Sequence, residues 1–255
     1  MLHFMPPWTQ AVFIAWRPEL RFFERRHDVL RAFDDQGVLR AFQWKSDSLS
    51  ARLGDHELLE IRSNGAVVTL GSPRVSPEIC RNALGTALRM LKPEHVHLHQ
   101  ILVQSVVPIE RTAGEAAAVS LRQLLPSLSP VARGQDWAFM FDGSSTELDA
   151  TFQVEFGAIS ADEVVDRVTR RTGRVSPWPA FDIVVDKERL PEAAVFFAWT
   201  WPTSYALPDE DDVTEALCHR WSVITEESES LGLALMKELQ LQPRTLDAED
   251  KEEVQ

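Results

Sequence analysis

The chain has 255 residues and 44% hydrophobic content, enough to bury a sizeable core, so bulk disorder is excluded. Its formal charge of -13 repels phosphate backbones, so nucleic acid is not expected as a partner without a strong local basic patch. No apolar run approaches the roughly 18 to 20 residues needed to cross a bilayer, and the opening MLHFMPPWTQ lacks a basic segment followed by an apolar one, so a soluble cytoplasmic protein with no membrane contact is expected.

After the Pro-Pro opener, TQAVFIAW is β-branched and aromatic and predicts a strand covered on both faces. The segment ELRFFERRHDVLRAFDDQG places Phe22, Phe23, Leu30 and Phe33 at helical spacings and ends at Gly37, a C-terminal cap. LRAFQWKS predicts a strand. ELLEIRSNGAVVTLG predicts a hairpin joined at Ser63-Asn64-Gly65, where Asn and Gly tolerate positive φ. In SPEICRNALGTALRML, Ser76 and Pro77 form a helix start, and Ile79, Ala83, Leu84, Ala87, Leu88 and Leu91 run down one side.

The next strand is PEHVHLHQILVQSVVPIE, followed by a helix GEAAAVSLRQLL that stops at Pro126 and a loop over Ser127 to Gln135. A second hairpin spans DWAFMFDGSSTELDATFQVEFGAI with Asp142-Gly143-Ser144-Ser145 at its tip, and Ser160 with Glu163 forms a capping box for the helix after it. Strands FDIVVD and AVFFAWTWP precede a long helix from about Val213 to Leu241.

The order of elements predicts an α+β fold of largely antiparallel sheets backed by helices, arranged as two related halves with a long C-terminal helix. The halves are residues 1–130 and 131–245. Residues 246–255, rich in acids and without apolar periodicity, are expected to be a disordered acidic tail.

Three passages resemble a sporadically distributed prokaryotic protein family: the opener PPWTQAVFIAW, the helix-to-strand passage ALRMLKPEHVHLHQILVQSVVPI, and the ending from FDIVVD through ALCHRWSVITEESESLGLALMKEL. Where that family runs Arg-Tyr-x-Asn through the middle strand, this chain has Leu102-Val103-Gln104-Ser105. The resemblance implies no activity and transfers no catalytic residue. Its sporadic distribution implies a mobile or defence-linked setting.

For chemistry, the first candidates are His95, His97 and His99, which a continuous strand would project from one face. Alternate strand residues lie roughly 6.5 to 7 Å apart, so neighbouring pairs can pinch one divalent ion, while the outer pair is about 13 Å apart. With Val96 and Leu98 pointing the other way, a solvated strand face is the first reading, and a metal-dependent hydrolase using this strand is the alternative. The remaining histidines, His3, His27, His56 and His219, sit in no recognised ligand frame.

The acidic run Asp209, Glu210, Asp211 and Asp212 suits a helix N-terminus as well as a hard cation. Asp182 and Asp186 are too far apart along a strand, about 13 Å, to share a proton. Cys80 and Cys218 read as two buried thiols. Neither ERRHDVLR nor the Arg167, Arg170, Arg171 and Arg174 cluster has the interleaved aromatics of a nucleic-acid surface, so each reads as a solvated helix face.

Large aromatics are the less ordinary feature. In AVFFAWTWP, Val195, Phe197, Trp199 and Trp201 share one strand face. Core packing is the first reading; the second makes Trp178, Trp199, Trp201 and Tyr205 anchors of a partner surface. In the terminal helix Leu217, Trp221, Ile224, Leu231, Leu235 and Leu239 recur near helical spacing over roughly 43 Å, longer than one compact half. A homodimer or a clamp across the halves is expected, with Leu235 and Leu239 buried. The expected function is a non-catalytic cytoplasmic binding protein that takes no cofactor and acts with a protein partner in an assembly.

Overall fold

A computed structural model describes residues 9–54, 57–70, 78–109, 137–160, 193–206 and 213–238. The first apolar run forms β1 (Thr9–Ala15). Helix α1 (Arg21–Asp35) follows; Gln36 closes it, and Gly37, at φ 67°, donates its N–H to the Asp34 carbonyl at 2.8 Å. Strands β2 (Ala41–Trp44), β3 (Ser48–Arg52), β4 (Glu57–Arg62) and β5 (Gly65–Leu70) form a meander that returns to β1. Helix α2 (Glu78–Leu91) leads to β6 (His97–Pro108), and β7 (Trp137–Ser145), β8 (Ala150–Ser160), β9 (Ala193–Ala206) and α3 (Val213–Glu238) complete the described elements.

The nine described strands form one antiparallel sheet in the order β2-β3-β4-β5-β1-β6-β9-β8-β7. The sheet runs unbroken across residue 130, because β6 pairs with β9 from His97↔Ala206 to Pro108↔Ala194. Helix α2 packs on α1, α3 and β4, and α3 also touches β6 and β9. The helices share a core with one face of the sheet: Val12, Val68, Ile101, Val103, Val195, Phe197, Trp199 and Trp201 meet Phe22, Phe33, Leu84, Leu217 and Trp221. The opposite face is buried at its centre too, where Ala11, Phe13, Val67 and Leu102 cluster and Phe196 and Ala198 are fully covered. Burial on both faces explains the near-continuous apolar runs of β1 and β9.

Four local expectations are corrected. At the first hairpin neither Asn64 nor Gly65 has positive φ; Gly65 is needed because a Cβ there would lie 2.5 Å from the Ile14 carbonyl oxygen. The tip of the second hairpin is Thr146–Asp149, with Asp149 at φ 46°, and Asp142 to Ser145 belong to β7. Helix α3 sets that shift. Ser145 Oγ donates to Glu227 Oε1 at 2.7 Å, the Leu148 N–H donates to Ser145 Oγ at 3.3 Å, and Arg220 donates to the Leu148 carbonyl at 3.0 Å. Phe23 faces outward while Val29 takes a core position on α1.

The fourth correction is the buried stripe of α3, which runs Leu217, Trp221, Ile224, Ser228, Gly232 and Met236. Leu231 and Leu235 sit half-buried beside it. Small residues at its centre let the helix approach β9. Ser228 Oγ accepts from Trp201 Nε1 at 2.9 Å and donates to the Ile224 carbonyl at 2.7 Å, while Trp221 Nε1 donates to Gln10 Oε1.

Ser76 and Pro77, the segment from Glu110 to Gln135, the Glu163 cap, the 167–174 arginines, FDIVVD, the 209–212 acids and the 246–255 tail lie outside the described residues. Among the described residues no helix is long and apolar enough to cross a membrane.

Candidate functional site

The three histidines are not aligned on one strand. β6 begins at His97; His95 precedes it at φ 54° in a bend; and His99 is the extra residue of a bulge that β6 makes against β1, beside a register shift in the pairing with β9. All three are exposed, while Val96 and Leu98 are buried. Among the described residues no group of three His, Cys, Asp or Glu side chains is gathered closely enough to hold a metal ion.

Trp199 and Trp201 lie in the centre of the core, where Phe152 packs against both rings at centroid distances of 5.3 and 4.8 Å. They face α3 and so form no outer surface. Tyr205 is in the last turn of pairing in β9, opposite Leu98. Leu235 packs half-buried on the core, and Trp178 and Leu239 lie outside the described residues.

Two places gather chemically capable side chains. The first is a cleft of about 680 Å³ where the end of α1, α2 and the start of α3 meet, lined by Gln36, Arg81, Thr86, Arg89, Thr214 and Cys218 among others. Its walls approach closely because Gly85 carries no side chain; a Cβ there would sit 2.9 Å from Thr214 Cγ2. Several of its polar groups already have protein partners: Gln36 and Arg89 both donate to Thr86 Oγ1, at 3.1 and 3.2 Å, and Arg81 donates to Ser222 at 2.7 Å while lying 5.4 Å above the Trp221 ring. Burial pushes the Cys218 thiol up, partly offset by the Arg81 charge, so it stays protonated and poorly nucleophilic at neutral pH. The cleft reads as a helix junction.

The second place is the outer corner formed by α1 and β2. Phe42 and Trp44 alternate with Ala41 and Gln43, so both project from the side of β2 that faces α1. Across from them, Phe23, Arg26 and His27 occupy one turn of α1. The His27 ring lies 4.6 Å from Trp44, and Phe42 meets Trp44 edge-on at 6.0 Å. The Arg26 guanidinium sits 5.0 Å over Trp44 and 5.9 Å from the Phe23 ring, and it donates to the Lys45 carbonyl at 3.3 Å. This ladder remains open to solvent: Phe42 is 51% exposed, Phe23 42% and the neighbouring Leu20 81%.

Electrostatically the corner departs from the rest of the molecule. Residues 17–45 carry seven Arg and Lys against five Asp and Glu in a chain whose net charge is -13. Arg40 and Lys45 bracket β2 at its two ends. Among the described residues β2 pairs only with β3, which leaves it at the sheet's edge. The sequence does not reveal this corner by periodicity, because Phe23 falls at helical spacing together with Phe22, Leu30 and Phe33. The available signal was the Phe22-Phe23 pair, since adjacent helix residues lie about 100° apart and cannot both point to the centre of one core.

No protein-family model matches the chain, and neither does any curated protein sequence.

Proposed function

We propose that this chain is a non-catalytic protein-binding module of the cytoplasm, whose contact surface is the corner built by α1 and β2. The observation that carries this reading is the contiguous ladder at a sheet edge in which exposed Phe23, His27 and Phe42 flank half-buried Arg26 and Trp44. Single exposed apolar residues are ordinary, but aromatic rings interleaved with arginine form the kind of anchor that carries binding energy at protein interfaces. The rings are also partly preorganised, since Arg26 and His27 hold Trp44, so fewer rotamers are lost on association. A free thiol at Cys218 agrees with a reducing compartment.

The test is affinity capture from the native cell with three baits: the natural chain, Phe23→Ser with Phe42→Ser, and Asn82→Ala in the helix cleft. The expected result is a partner captured by the natural chain and the cleft variant, and lost by the double variant. Retention of the same partner by the double variant, with its melting temperature unchanged, overturns the assignment of the surface.

A further inference from the structure

We infer that the partner presents an extended, acidic segment that adds to the outer edge of β2 as a tenth strand. This rests on the preceding reading of the α1 and β2 corner and specifies what it recognises.

The backbone gives the first argument. Lys45 N–H donates to the Ser48 carbonyl at 3.0 Å, and the register pairs Trp44 with Leu49, Gln43 with Ser50 and Phe42 with Ala51. In an antiparallel ladder hydrogen-bonded and non-bonded pairs alternate, so Lys45 and Gln43 direct their polar backbone groups towards β3. The N–H and C=O groups of Phe42 and Trp44 therefore point away from the sheet. An incoming backbone can satisfy them, and its side chains on the same face would meet the Phe42 ring. Nucleic acid has no matching alternation of amide donors and acceptors, and the modest positive excess of residues 17–45 falls short of a phosphate-tracking groove.

Charge gives the second argument. Arg40 and Lys45 stand at the two ends of β2, roughly 16 Å apart at about 3.3 Å per residue. A short strand bracketed by cations is a known protection against pairing with a second copy, since identical edges repel. Protection alone does not call for exposed Phe42 and Phe23, which raise the risk of association. Together the features exclude a like-charged edge and admit an acidic one: negative side chains near both ends of a five- or six-residue segment, with apolar side chains between them.

The experiment uses the purified full chain and fluorescence anisotropy of labelled, end-blocked eight-residue peptides. One alternates glutamate and valine, the second lysine and valine, and the third repeats the first with alternate amides N-methylated. Oligo(dT) is the fourth probe. Expected is saturable binding of the glutamate–valine peptide below about 1 mM. N-methylation should weaken it by about tenfold or more through loss of edge hydrogen bonds. Arg40→Glu with Lys45→Glu should weaken it by a similar factor, and the loss should grow as salt falls.

Equal binding of the lysine peptide, indifference to N-methylation, tighter binding of oligo(dT), or no binding at about 1 mM each overturns the inference. Because N-methylation alters only the probe, a folding defect in the charge variant cannot mimic the result. If capture from cells depends on Phe23 and Phe42 while these peptides fail, the surface stands and the strand-addition mode falls. If capture ignores both rings, the surface itself falls.

Discussion

Among the described residues, the two edges of the sheet solve the same problem in different ways. At one end β2 is four residues long, carries no ionisable side chain of its own, and is bracketed by Arg40 and Lys45 under an arginine and aromatic ladder. At the other end β7 is nine residues long with one ionisable residue, Asp142, and exposes Met140 at 58% and Phe141 at 38%. The β7 aromatics are drawn back towards the sheet, as Phe139 and Phe141 both meet the Phe156 ring at about 6 Å. Aromatic exposure alone therefore does not single out an edge. What separates β2 is the sign and placement of charge against an acidic background, which turns an edge that must avoid its own copies into one that selects an oppositely charged strand.

Both edges hang from the shared centre, so the largest effect is expected there. Trp201→Ala removes a fully buried ring, its contact with Phe152 and its bond to Ser228, and should cost about 3 to 5 kcal/mol in denaturant unfolding. Loss of less than about 1 kcal/mol would mean the centre repacks freely and that the edges need no common support.

The two hairpins leading to the edges can be ranked next. Gly65→Ala drives a Cβ against the Ile14 carbonyl oxygen, a backbone atom that cannot turn aside, and should cost about 1 to 3 kcal/mol. Gly143→Ala, beside β8, meets only the outer end of the Phe152 ring and should cost less, about 1 kcal/mol. A reversed order in paired thermal melts would show that the ring, wedged between Trp199 and Trp201, is the stiffer neighbour.

Edge substitutions should separate binding from stability. Phe42→Ala should leave unfolding within about 0.5 kcal/mol of the natural chain, because half of the ring is already in water. A much larger destabilisation would make Phe42 a structural residue of β2 and remove the main anchor of the proposed surface.

The smallest effect concerns α3, the helix that grips the β7 hairpin tip. Burial, reinforced by neighbouring Glu226, pushes the Glu229 carboxyl above its ordinary value. Below the unfolded-state value both states are protonated and nothing is lost; as pH rises through the elevated folded value, ionisation in the fold is penalised. Glu229→Gln should therefore raise the melting temperature slightly at neutral pH, with the gain vanishing in acid. A gain that persists unchanged in acid would assign the effect to packing.

Much of the fold follows from local pattern. Alternating and continuous apolar runs locate β1, β4, β5 and β9, and the 3.6-residue period with Gly37 at its end locates α1, because these signals depend on the chain's own sterics and on which face meets water. The sequence also supported an exposed reading of His97 and His99. Local pattern could not reveal the bulge at His99, the displacement of His95 from the strand, or the tip at Thr146–Asp149, since each depends on what a neighbouring element imposes. The stripe through Ser228 and Gly232 escaped a hydrophobic reading for a related reason: small residues become core positions only when Trp201 arrives across from them. The candidate surface belongs to the same class. Phe23 and Phe42 are 19 positions apart, and their periodicity says that each can be buried. Only the stacking of α1 on one side of an edge strand decided that both remain at the surface, beside a row of backbone groups that antiparallel geometry turns outward.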